Sequence, residues 1–146
     1  MAQGSFAGQA SEWVKETKAR MLAVRNESVQ RVVEIMQTPV EAGGRMRVAT
    51  GFLRASLRAA VGTANFVTTS PPVGQLKFIY DASAVSLVIA GADIGDPIEV
   101  VYTANYARAR EYNPNGQTPD RFVAMAAQQW GRVVNEVCRE AQARNS

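Results

Sequence analysis

The 146-residue chain has no histidine and one cysteine. Without histidine, Ser-His-Asp and Cys-His nucleophile systems, imidazole acid–base chemistry and nearly every zinc or iron site are excluded. Cys138 has no partner for an internal disulfide. It fits a reducing cytosolic compartment and reads as a small buried hydrophobe. Long apolar runs are missing too, since no window approaches the roughly 18 uninterrupted apolar residues of a spanning helix. The start, MAQGSFAGQASEWVKETKAR, lacks a basic segment followed by an apolar run, so neither membrane insertion nor secretion is expected. What remains is 47% hydrophobic and 20% charged, the balance of a globular chain able to bury a core. Its length fits one domain over 1–146.

Phe6 to Met36 runs without proline, and Trp13, Val14, Met21, Leu22, Val29, Val32, Val33 and Met36 recur at helical spacing. A long amphipathic helix is expected, with Glu16 one turn before Arg20 on its polar side. Thr38-Pro39 stops it, and Pro39 to Met46, with Gly43-Gly44, reads as a flexible loop. A short helix follows through Leu53, Leu57 and Val61, with Thr50 as N-cap and Gly62 as stop. The period then changes to two. Leu76 to Tyr80 and Ile98 to Tyr102 read as strands, Val85 to Ala90 as a third and Phe66 to Thr69 as a fourth. Tyr106 to Tyr112 reads as a short helix ended by Asn113-Pro114-Asn115-Gly116-Gln117. The last helix is expected to start at Thr118-Pro119-Asp120 and to bury Phe122, Met125, Ala126, Gln129, Trp130, Val133, Val134, Val137 and Ala141. The expected class is α+β: a long N-terminal helix, a short helix, an antiparallel sheet of three or four strands, a short helix and a C-terminal helix packed together.

The chemical inventory is thin. Asp81, Asp93, Asp96 and Glu99 are close in sequence, but they match no established cation loop and read as turn formers. Gly43-Gly44, Gly51 and Gly91 with Gly95 make neither a phosphate loop nor a dinucleotide fingerprint. No cofactor, metal site or catalytic residue is expected. Positive charge is concentrated early: residues 1–62 hold nine Lys/Arg against five Asp/Glu, and the rest holds seven against eight. Arg45, Arg47, Arg54 and Arg58 are the most suggestive group, suited to carboxylates of a neighbouring subunit or to phosphates. Tyr102, Tyr106 and Tyr112 flank Arg108, Arg110 and Glu111. That mixture suits a helix with one aromatic edge in the core and salt bridges outside. A DNA-binding accessory protein and a carboxylate-based enzyme are the readings from other classes.

Two segments, in this order, carry a resemblance. VATGFLRASL at 48–57 resembles a T-G-x-L-R-x-S motif. YARAREYNPNGQTPDRFVAMAAQQW at 106–130 resembles a Y-A-x-x-x-E-Y-G, variable loop, aromatic, A-x-x-x-W pattern. Both belong to the neck or tail-completion (head-tail connector) proteins of long-tailed, lambda-like siphophages. Thr50, Gly51, Leu53, Arg54 and Ser56 match the first motif, and Tyr106, Ala107, Glu111 and Tyr112 the second. Asn113 stands where the family has glycine, and Ala109-Arg110 where a more apolar pair is common; asparagine tolerates the left-handed turn.

The resemblance implies a non-enzymatic structural protein of the virion neck, present in the host cytoplasm during assembly. It implies a homo-oligomeric ring, hexamer or dodecamer, between head-closure or connector proteins and the tail terminator or tail tube. DNA would pass through without sequence-specific binding. A tail terminator is the nearest alternative. The candidate subunit or partner interface comprises Arg45, Arg47, Thr50, Gly51, Arg54, Ser56, Tyr106, Arg110, Glu111 and Tyr112. Gly51 is expected to allow close backbone approach, Arg54 to pair with a carboxylate such as Glu111, and the Arg45/Arg47 loop to order on docking.

Overall fold

Ser5 starts the first helix by accepting the Gly8 N–H on its hydroxyl at 3.1 Å, and Thr38, extended before Pro39, ends it. In the computed structural model, which describes residues 5–113, 116 and 118–144, α1 spans Phe6–Gln37 as expected. At 1.5 Å per residue it is about 48 Å long. Its second half is packed, burying Ser28, Val33, Met36 and Gln37. Trp13, Val14 and Met21 instead face solvent. The expected Glu16–Arg20 pair is not among the ion pairs of the described residues; α1 is tied by Glu27–Arg31, Arg31–Glu140 and Lys18–Asp93. Arg31 holds the Glu140 carboxyl below its usual range.

After a 3-10 turn at Val40–Ala42 come α2 (Phe52–Ala55), β1 (Leu57–Val61), α3 (Ala82–Gly91), β2 (Ile98–Tyr102), α4 (Ala107–Tyr112), α5 (Phe122–Ala127) and α6 (Trp130–Arg144). The class is α+β, but the sheet among the described residues has two strands, not three or four. β1 and β2 pair antiparallel, Leu57 opposite Tyr102 and Val61 opposite Ile98. β1 replaces the second half of the expected short helix. The Ser56 hydroxyl donates to Leu53 O at 2.7 Å and closes α2, and Leu57 enters the ladder instead of a further turn.

Val85 to Ala90 is helical because Asp81 caps it: its carboxylate accepts the Ser83 hydroxyl at 2.6 Å and the Ser83 and Ala84 N–H groups. Those bonds also hold the Asp81 carboxyl below its usual range, the Ser83 hydroxyl foremost. Val85 and Ile89, one turn apart, are the residues that α3 buries. Leu76 to Tyr80 forms no strand: Phe78 and Tyr80 pack inward, while Leu76, expected on the same face, is exposed like Ile79. A loop lies beside it rather than a strand, and Phe78 N–H bonds Thr50 O at 2.9 Å. Phe66 to Thr69 contributes only a parallel bridge from Thr69 to Ala104.

The last helix starts later than expected and is broken. Arg121, in the left-handed region at φ 55°, precedes α5, and a break at Gln128 separates it from α6. Phe122, Ala126, Val133 and Val137 are buried, but Trp130 is exposed. Asn113 is left-handed at φ 43°, a conformation that asparagine tolerates. Pro114, Asn115 and Gln117 of the expected breaker cluster lie outside the described residues.

The core has two clusters. Val33, Met36, Leu57, Val85, Ile89 and Ala126 form one, where α1 meets α3, α5 and the sheet. Met46, Phe52, Leu53, Ala104 and Phe122 form the other. Tyr102 touches both. Its ring meets Phe122 edge-on at 5.1 Å, and its hydroxyl donates to Gln37 Oε1 at 2.7 Å.

Burial, with Tyr80 nearby, pushes the Tyr102 phenol far above its ordinary value. An unfolded tyrosine ionises near pH 10, so the stability held in the neutral Tyr102 is present below that pH and is lost as pH rises above it. Alkaline titration followed by tyrosinate absorbance is expected to show Tyr102 ionising only together with loss of helical circular dichroism. In Tyr102→Phe that late step is absent.

Candidate functional site

The two family-like segments lie some fifty residues apart in sequence and side by side in the fold. Arg47, Thr50, Gly51, Arg54, Tyr106 and Arg110 line one cleft between α2 and α4. Its volume is about 20 Å³, room for one water and far below the roughly 300 Å³ of a small-molecule site. The motif residues are therefore packing partners.

Gly51 sits left-handed at φ 84° at the head of α2. A Cβ there would lie 2.6 Å from Phe78 O, so the expected close approach is made by the Leu76 to Tyr80 segment. Thr50 accepts the Phe52 N–H on its hydroxyl at 3.3 Å, while Gly51, not Thr50, occupies the cap. Ser56 is buried, and its carbonyl accepts the Thr103 N–H at 3.1 Å and the Thr103 hydroxyl at 3.0 Å. Tyr106 lies 6.2 Å from the Phe52 ring.

Arg54 does not pair with Glu111. Its Nε donates to Gln37 O at 2.9 Å, Gln37 Nε2 donates back to Arg54 O at 2.8 Å, and the guanidinium stacks 5.4 Å from the Tyr80 ring centre. Glu111 is occupied elsewhere: its buried carboxylate accepts the Val123 and Ala124 N–H groups, each at 2.9 Å, and so caps α5. Arg121, the formal cap residue, makes no such side-chain bond. Tyr112 is exposed and meets the Arg108 guanidinium at 5.9 Å.

The basic residues converge on an acid that sequence reasoning assigned to a helix first turn. The Asp120 side chain is 4% exposed. It pairs with Arg47 Nε at Oδ1 and faces Arg110 Nη1 3.9 Å from Oδ2, while Arg45 Nε donates to its carbonyl at 2.9 Å. Oδ2 has no hydrogen bond. Two guanidiniums thus face the one carboxylate and a third holds its backbone carbonyl, with Arg47 still 48% exposed. Arg110 also lies 5.8 Å from the Tyr106 ring centre. This face can offer guanidinium forks to carboxylates or phosphates. The loop carrying Arg45 and Arg47 is already anchored: Met46 is fully buried, Val40 N–H bonds Met46 O, and a Cβ on Gly44 would sit 1.9 Å from Thr38 O. Gly43-Gly44 therefore builds a tight turn rather than a flexible one.

The acidic group read as turn formers acts that way. Asp96 accepts the Asp93 N–H, Asp93 the Ile94 N–H and Glu99 the Ala64 N–H. Cys138 is partly buried and lines a groove between α1 and α6. No helix among the described residues is long and apolar enough to cross a membrane. Comparison with protein-family models, curated proteins and solved structures finds no match to this chain.

Proposed function

We propose that this chain is a non-enzymatic structural protein of the phage head-tail junction, a neck or tail-completion ring subunit that docks between a head connector and a tail component around the DNA path. The observation that carries the reading is the joining of the two family-like segments: Thr50 to Ser56 and Tyr106 to Tyr112 pack against each other, beside the arginine face around Asp120. Beside the same cleft, the segment from Leu76 to Tyr80 exposes Leu76 and Ile79. Exposed apolar side chains next to guanidinium forks suit a protein partner with an acidic rim.

The test is head-tail joining. Extracts of the encoding phage lacking this protein are expected to accumulate DNA-filled heads and free tails, and the purified chain to restore infectivity. Arg45→Glu/Arg47→Glu is expected to lower that restoration about a hundredfold, because like charges across an interface cost several kcal/mol. Circular dichroism checks that the variant is folded. Full restoration by the variant would remove the arginine face from the interface. Three arginines against one acid also favour phosphate contact as a second reading, which requires duplex DNA binding that falls steeply with salt.

A further inference from the structure

From Phe6 to Thr17, α1 precedes its first ion pair with the rest of the described chain, Lys18 to Asp93. α6 ends at Arg144, which lines the α1–α6 groove together with Arg20. Before that point Phe6 is 86% and Trp13 66% exposed and Val14 is more than half exposed, as is Met21 just after it. Phe6, Ala10, Trp13, Val14, Thr17 and Met21 occupy one stripe, and steps of three and four residues keep it on a single face. Lysines, arginines and glutamates lie outside the stripe. Exposed apolar residues scattered singly are ordinary, but a continuous stripe marks a contact surface.

We propose that this arm pairs antiparallel with the same arm of a second copy, about a two-fold axis between Trp13 and Val14. The stripe is its own complement when read backwards. Phe6 then faces Met21, Ala10 faces Thr17 and Trp13 faces Val14, so each aromatic side chain meets an aliphatic one and a small side chain meets a small one. Each contact occurs twice, as an isologous interface requires. Like charges do not meet: Lys18 comes opposite Gln9 and Arg20 opposite Ala7. The overlap covers the uncovered segment and ends in the turn where Lys18 and Arg20 meet the body. It buries on the order of 500 Å² per copy, about 1,000 Å² in all, the threshold for a specific interface. A parallel pair would bring the two bodies together at one end. This contact uses α1 alone and is separate from any that would close a ring, so it stands or falls independently of the neck reading.

The first measurement is sedimentation equilibrium of the full chain from micromolar to near-millimolar concentration. A monomer–dimer equilibrium is expected, weakened at least about a hundredfold by Trp13→Glu with unchanged circular dichroism. The second uses Cys138→Ser as background. Ala10→Cys copies mixed with Thr17→Cys copies are expected to form a disulfide-linked dimer on mild oxidation. Neither is expected to link to itself, because the two Ala10 positions lie about 10 Å apart along the helix, beyond disulfide reach. A monomer at every concentration overturns the proposal. So does association unmoved by Trp13→Glu, or self-linking of the Ala10→Cys variant equal to the mixed reaction.

Discussion

Gly51→Ala is expected to destabilise the protein by about 3 kcal/mol, of which the left-handed backbone accounts for roughly 1–2 kcal/mol. The remainder comes from the new Cβ, 2.6 Å from Phe78 O, which forces the Leu76 to Tyr80 segment away from α2. That movement breaks the Phe78 N–H bond to Thr50 O and opens the edge contact between Phe52 and Phe78. In a chain of this size the melting temperature should fall by roughly 10 °C. Gly62→Ala is the control, because Gly62 shares the positive φ but a Cβ there meets nothing within 4 Å. If both variants lose the same stability by denaturant titration, close approach at Gly51 contributes nothing.

Glu111→Ala is expected to cost roughly 2–3 kcal/mol. One buried carboxylate accepts two backbone N–H groups at the start of α5, and hydrogen bonds to a charged group contribute about 1.5–3 kcal/mol, more when their loss strands a buried donor. Glu111→Gln keeps one acceptor and should lose about half as much. The effect should be local, with α5 amides losing hydrogen-exchange protection before those of β1. Uniform loss across the chain would show that Glu111 stabilises the core rather than the cap.

These two residues show what could be read from the chain and what could not. Gly51 announced a close approach because glycine before a helical period has few other uses, yet its partner, Phe78, lay in a segment of strand-like alternation. That alternation turned Phe78 and Tyr80 inward but failed for Leu76, which is exposed. It could not supply a neighbouring strand, because hydrogen-bond partners are chosen by tertiary placement. The apolar run at Val85 to Ala90 fits helix and strand alike, and the Asp81 cap two residues before Ser83 was the signal that separates them. Leu57 failed for the opposite reason: its spacing from Leu53 was helical, but Ser56 closed the turn first. Asp120 was invisible as a hub because Arg45, Arg47 and Arg110 reach it from remote parts of the chain. α1, β2 and α4 were legible because their signals are local: an uninterrupted helical period, a period of two, and a breaker at Asn113.

Tyr102 belongs to both apolar clusters, and neither cluster has more than six buried members. Neither is large enough to hold its share of the chain alone, so loosening one removes a wall of the other through the same ring. Unfolding is then expected to be a single cooperative event, without a stable half-folded species in which the arginine face survives while the α1 side has melted.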